Sequence, residues 1–405
     1  MSKRRHGMHA LAVLTLVNLF NYGNRNVLFP MYEDLRADFG FSNAELGLLG
    51  TAFMSTHAVV TLFFGWAGDR YDKRRVIAWG LVLWSISAVL SGLAVGFWSM
   101  TISRAMVGVG TAACVPVGIA LLCQVFPEDT KARTVAIFNL GIFLGGAAGV
   151  GAGVIAGYPV GVFIMAVPGF LLAAMVLRLP VDHTPSNIAE STRFSWSIFV
   201  QQGRELLSIK TMIWVLIGSV LMAFAAGSYV SWLFEFISVT KGLGDDTASV
   251  IFGAALLGGL LGIVAGGWVG DRLQATRANG RLAAISIGML SSLPFALIFQ
   301  YSSPGALFYA SSFLAMFFMT WYHGPLAAVI DDLSSADRAT AAQAILIFTI
   351  HFVGTAPSSW IIGVLADTVG LREALLVPAG AILCGALCFI AGARTMAPLS
   401  SKTSR

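Results

Sequence analysis

The run NYGNRN at residues 21–26 lies near the end of an apolar stretch, Ala10 to Pro30, that is long enough to cross a membrane. It places Asn21, Asn24 and Arg25 close to Asn18 and Tyr22. A cation inside a bilayer costs several kcal/mol, so Arg25 requires a partner or a wet cavity. A second arginine, Arg104, lies in another apolar run, with Thr111 two helical turns further along the same face. Guanidinium forks match the oxygens of phosphates and carboxylates. These residues therefore suit recognition of an anion rather than the making of bonds. No G-x-S-x-G, H-E-x-x-H or Walker-type phosphate loop occurs, and the sequence is read as that of a non-enzyme with no cofactor and no metal.

Other ionisable residues in apolar runs are few. Glu235, in SWLFEFIS, suits a gate residue, a salt partner for an arginine, a proton site or a water-facing interfacial acid. His57, His323 and His351 are either helix-to-helix hydrogen-bonding residues or groups that titrate near neutral pH. Asn18, Asn21, Tyr22 and Arg25 follow the i, i+3, i+4, i+7 rhythm of one helix face. Two readings of that face fit: it lines a central cavity that receives an anion, or the arginines bond to backbone carbonyls and the asparagines pack helices. Phe53, Phe64, Trp232, Phe236, Trp321 and Tyr322 suit either an acyl-chain cavity or a lipid-facing surface.

The elements that must carry these residues are transmembrane helices. The 405-residue chain is 57% apolar and only 11% charged, against about 25% charged in an ordinary soluble domain. Apolar runs of spanning length predict twelve helices, near 9–29, 44–67, 76–95, 98–123, 134–157, 160–178, 211–237, 247–269, 282–299, 305–330, 340–365 and 374–393. With the amino terminus inside, twenty Lys and Arg fall in cytoplasmic segments and three, Arg36, Lys241 and Arg372, fall outside. This positive-inside bias puts both termini in the cytoplasm. It also accounts for the net charge of +5, so no nucleic-acid partner is expected. The basic start reads as the head of the first span, because Asn18 and Asn21 interrupt the apolar run and no small-residue cleavage site follows. Cys114, Cys123, Cys384 and Cys388 lack metal or redox spacing and are read as packing residues.

GWAGDR at 65–70 returns as GWVGDR at 267–272, an offset of 202 residues. KARTVAIF at 131–138 is echoed by DRATAAQAILIF at 337–348, with Arg133 matching Arg338. Two anchors at nearly one spacing predict duplicated six-helix bundles. The expected division is a first bundle at 1–178, a cytoplasmic linker at 179–210 and a second bundle at 211–405. Within the linker, Pro180, Pro185, Ser186 and Asn187 suit a turn. FSWSIFVQQGRELLSI then reads either as a surface helix, with Phe194, Ile198, Val200 and Leu206 inward, or as plain linker.

GWAGDRYDKRR at 65–75 resembles the signature loop of the major facilitator superfamily, close to G-x-x-x-D-R-x-G-R-R, with Asp72 in place of the usual glycine. The resemblance implies an all-α membrane protein of twelve transmembrane helices in two pseudo-symmetric bundles. It further implies a conformational latch at Asp69, Arg70 and Arg74, with Arg133 as partner and a second copy at Asp271 and Arg272. Within that superfamily the chain is similar to the spinster family, on YGNR (22–25), RAMVGVGTAA (104–113), FPEDTKART (126–134) and the stretch from Arg338 to Asp367. Spinster proteins are implicated in moving lysophospholipids and lipids of the sphingosine phosphate type. The resemblance thus implies a monomeric carrier of an amphipathic anionic lipid, with substrate contacts at Asn21, Asn24, Arg25, Arg104, Thr111 and Thr355. His57, Glu235 and His351 are its candidates for proton coupling or gating. The short loops fit a bacterial inner-membrane protein; a smaller organic anion or drug-like substrate, or a sensor that does not transport, are the alternatives. Asn24, Thr111 and Thr355 replace the Asp, Glu and Asp of the family, and because Asn and Thr do not titrate, weak dependence on a proton gradient is expected.

Overall fold

The computed structural model describes residues 2–181, 196–334 and 339–396, and these contain helices but no strand. Eleven helices among them are long and apolar enough to cross a membrane. The first long helix, α1 (Ser2–Asn26), is kept below that apolar threshold by its basic start and its asparagines. The others are α2 (Asn43–Gly68), α3 (Lys73–Gly92), α4 (Phe97–Val125), α5 (Arg133–Ala156), α6 (Val160–Leu177), α7 (Lys210–Thr240), α8 (Gly244–Gln274), α9 (Gly280–Tyr301), α10 (Ala306–Leu333), α11 (Ala342–Val369) and α12 (Leu371–Thr395). The fold is that expected from the sequence.

Helices dominate because lipid offers no hydrogen bonds, so each spanning segment must satisfy its own backbone. Several spans are nevertheless interrupted beside a proline. α4 breaks between Thr111 and Cys114, just ahead of Pro116, and α6 breaks at Val167 before Pro168. A tight turn at Thr320–Tyr322 in α10 precedes Pro325, and a wide π turn at Ile350–Thr355 in α11 precedes Pro357. Proline lacks the ladder N–H and collides with the carbonyl four residues back. A second π turn, Phe236–Thr240, closes α7 directly after Glu235.

Two compact units are present. The first comprises Met1–Phe194 with Gly244–Ser249 and Ser359–Thr368; the second comprises Ser195–Leu243, Val250–Ser358 and Val369–Arg405. Within the first, α1 lies against α5 at backbone distance. Cβ atoms added at Gly145 and Gly149 would overlap the carbonyls of Leu19 and Gly23. In the second, Gly258, Gly262 and Gly266 of α8 face Phe313, Phe317 and Trp321 of α10 equally closely. Small residues at four-residue spacing give this packing in membranes, where dispersion and close approach replace the hydrophobic drive. The helix Trp196–Leu207 precedes α7; its Leu206 is buried, whereas Val200 is exposed rather than turned inward. Residues 182–195, which hold the expected turn and Phe194, lie outside the described residues, as does Arg338.

Gly145→Ala should lower stability by about 1–3 kcal/mol, the range for overpacking a tight contact. Gly151→Ala, whose added Cβ meets nothing within 4 Å, should leave stability unchanged or slightly raised. Thermal unfolding of the two purified variants in detergent distinguishes these outcomes.

Candidate functional site

The polar face of α1 is a row of staples. Asn18 Nδ2 donates to Phe138 O of α5 at 2.9 Å, Asn21 Nδ2 to Thr111 O of α4 at 3.1 Å, and Asn24 Nδ2 to Met165 O of α6 at 2.8 Å. Two of the three acceptors stand where a helix is interrupted: Thr111 at the break in α4, and Met165 in the turn that ends before Pro168. Carbonyls released at such ends need donors, and the asparagines supply them. All three asparagines are buried, and their side chains tie α1 to three other helices.

Arg104 extends this arrangement. Its side chain is only 2% exposed, and Nη1 and Nη2 donate to Asn24 O at 3.3 and 3.4 Å. Its guanidinium lies 5.3 Å from the centroid of the Phe53 ring of α2, a favourable contact with the negative face of the ring. Nε has no hydrogen-bond partner among the described residues, and no carboxylate pairs with Arg104 there. Phe53 in turn stacks on His57, with centroids 5.8 Å apart and planes 18° apart. His57 Nδ1 lies 3.2 Å from Thr111 Oγ1, and that hydroxyl donates to Gly108 O at 3.1 Å. The first unit thus joins the buried Asn21, Asn24, Arg104 and Thr111 and the half-buried His57 in one cluster.

Arg25 is half-buried beside the Tyr22 ring, 5.9 Å from its centroid. Phe53 was not singled out as a partner for the arginines; its place four residues before His57 on one helix face was the available signal. Asn26, buried with Oδ1 unbonded, was likewise missed.

The second unit holds the remaining candidates. Glu235 is buried at the last α-helical turn of α7. His351 and Thr355 lie on the π turn of α11, a distortion that recurs at functional sites. Thr355 Oγ1 donates to Ile350 O at 3.3 Å and approaches Ala223 O of α7 at 3.5 Å. A small pocket lies within this unit, lined by Tyr229, Leu233, Ser292, Ala296, Phe299 and Met316 among others. The buried Tyr229 hydroxyl has no partner among the described residues. Of the aromatic residues weighed from sequence, Trp232 and Phe236 are fully buried, and none lines this cavity.

The loop charges pair locally. Arg74 holds Asp72 at 2.9 and 3.1 Å and donates to Leu179 O at 3.0 Å. Asp72 also caps α3 by accepting Arg74 N at 3.0 Å, which explains an aspartate where the motif has glycine. Arg70 lies over Trp66 at 5.9 Å, Arg133 is exposed, and the Asp69 side chain lies outside the described residues. In the second copy Asp271 faces Arg281 at 3.7 Å, Arg281 grips Asp332 at 2.5 Å, and Arg272 covers Trp268 at 5.1 Å. Outside the spans, burial and the nearby Arg372 charge both push the Lys241 ammonium below its usual range. Lys241 is tied to Gln300 O and Ser302 O at 2.9 and 2.7 Å.

Asn18→Ala and Asn24→Ala should each lower stability by about 1–3 kcal/mol, the cost of leaving a buried carbonyl without its donor. Because the two staples end on different helices, their effects should add in the double variant to within about 0.5 kcal/mol, as judged by thermal unfolding.

The sequence model of the Major Facilitator Superfamily matches residues 14–346. Protein spinster homolog 1 of Xenopus tropicalis is 26% identical over 396 residues, covering 90% of this chain and 74% of that one. The crystal structure of a bacterial homolog of the human lysosomal transporter Spinster, inward-facing and unoccupied, superposes with a TM-score of 0.81 at 17% identity. It covers 96% of this chain and 98% of that one. The nucleoside transporter NupG shares the fold, with a TM-score of 0.75 at 14% identity over 95% of this chain and 98% of its own. The chain belongs to the Major Facilitator Superfamily, as an integral membrane transporter related to the spinster proteins.

Proposed function

We propose that this transporter moves an amphipathic anion of the lysophospholipid class by alternating access, with Arg104 and Arg25 attracting the headgroup. The observation that carries the reading is Arg104: a guanidinium 2% exposed, held by one backbone carbonyl and an aromatic face, with Nε unused and no carboxylate partner among the described residues. A buried cation held by neutral groups is under-compensated, and an anionic headgroup or its hydration water would complete it. The small pocket of the second unit is lined by apolar atoms.

Proton coupling is proposed to be weak. Asn24, Thr111 and Thr355 each donate a hydrogen to a backbone carbonyl. An ionised acid has no hydrogen to donate, so all three positions are built in the form that a protonated acid would take. The proposed protein works as a monomer in a bacterial inner membrane with both termini cytoplasmic, as the charge bias indicates. Asp69, Arg70, Arg74, Arg133, Asp271 and Arg272 then form its cytoplasmic latches. Glu235, His57 and His351 are its remaining candidates for gating or proton transfer.

Uptake of labelled lysophospholipid into proteoliposomes, with and without an imposed pH gradient, tests the reading. Saturable uptake that changes less than about twofold with the gradient is expected. Uptake of short organic anions in place of lysolipid assigns the smaller-anion carrier, and binding without uptake assigns a sensor. Arg104→Ala should cut uptake of an anionic substrate at least about tenfold, the order of a lost charge-assisted contact, while the variant still unfolds cooperatively. Wild-type rates in Arg104→Ala would remove the headgroup role. Asn24→Asp, which introduces a titratable acid beside Arg104, should make uptake depend on the gradient.

A further inference from the structure

The first turn of α2 is closed by a residue from far along the chain. Ser42 and Glu45 form a reciprocal capping box: Ser42 Oγ accepts Glu45 N at 3.2 Å, and Glu45 Oε2 accepts Ser42 N at 2.9 Å. The two amides between them, on Asn43 and Ala44, donate to Asp367 Oδ1 at 2.9 Å and Asp367 Oδ2 at 2.8 Å. One carboxylate thus spans two N-terminal amides of α2 at the positive end of its dipole. Asp367 lies in the last turns of α11, and it and the α2 residues belong to the same compact unit.

Below this clamp the helices touch through small residues. A Cβ added at Gly363 would overlap the Asn43 carbonyl, and one added at Gly47 would overlap the Ser359 carbonyl. Gly50 faces the Ser359 side chain. At these three positions the seam is made by small residues and backbone, the kind of contact that lets helices slide or part. Local helix preference does not explain the aspartate either. A carboxylate near a helix C-terminus opposes the dipole of its own helix, so Asp367 is placed against the interest of α11 and in favour of α2. Its exposed position lets the carboxylate exchange backbone amides for water when the seam opens.

We propose that Asp367 is a gate residue. It latches the α2–α11 seam at the end of α2 remote from the GWAGDR loop, and it must release when the transporter opens there. The proposal rests on the reading of this chain as an alternating-access carrier. It adds a latch at the end opposite the one implied by the signature loop.

Spin labels at Ala37 and Thr368, both exposed, would report the opening by pulsed electron paramagnetic resonance. The four native cysteines, Cys114, Cys123, Cys384 and Cys388, are first replaced, and the protein is measured in nanodiscs without substrate. Asp367→Ala should raise the ratio of long to short distances about fivefold, the order expected for an exposed charge-assisted clamp. Asp367→Asn, which keeps one acceptor oxygen, should fall between it and the parent. Gly363→Ala should shift the ratio the same way by forcing the seam apart. Glu373→Gln, an exposed acid outside the seam, should leave it unchanged. A distribution in Asp367→Ala identical to that of the parent overturns the latch, whatever Gly363→Ala does. Because no substrate is present, failure of lysolipid uptake leaves this result standing, and the reverse also holds.

Discussion

Where lipid surrounds a chain, every backbone carbonyl set free by a helix break has to find a donor inside the protein. That constraint organises the first unit. Beside the break in α4 and the end of the first piece of α6, the carbonyls of Thr111 and Met165 accept from Asn21 and Asn24 of α1. Asn18 adds a third tie, to α5. An asparagine row that would weaken a soluble helix is favourable here, because leaving the carbonyls unpaired in hydrocarbon costs several kcal/mol.

The same constraint gives meaning to the three positions where the spinster pattern carries acids. Each is occupied by a group that donates to a carbonyl. At these positions an amide or a hydroxyl supplies the hydrogen that a protonated acid would lend. Arg104 belongs to this arrangement. Its hydrogen bonds run to the backbone of Asn24 rather than to an acid.

The spans, their number and the periodic polar face of α1 were legible because hydropathy and the i, i+3, i+4 rhythm are local signals. The glycine runs at 141–157 and 253–267 were legible as close-packing faces, and Gly145 and Gly262 do meet backbone. The destinations of the asparagines were not legible, since they depend on which carbonyls other helices release. A signal for that was present: Pro116, Pro168, Pro325 and Pro357 each follow an interruption. The π turn at Phe236–Thr240 has no proline, and nothing local announces it. Asp72 read as a departure from a motif, whereas it is a helix cap braced by Arg74. The pairing of Asp367 with Asn43 joins residues more than 300 positions apart, beyond any periodicity.

These contacts divide into two mechanical kinds. The asparagine staples are buried, end on backbone, and tie α1 to three other helices, so breaking one strands a carbonyl in a dry interior. The Asp367 clamp is exposed, and water can replace each of its hydrogen bonds at small net cost. A carrier needs both kinds: helices that keep their geometry while a site is loaded, and contacts that open without unfolding anything. Local hydration separates them here. The amide-to-carbonyl tie is permanent where water is excluded, and the carboxylate-to-amide tie is reversible where water is at hand. A substitution that moved either tie into the other environment would damage transport even if the hydrogen-bond count were preserved, because the difference in free energy between made and broken contacts sets which parts of the molecule can move.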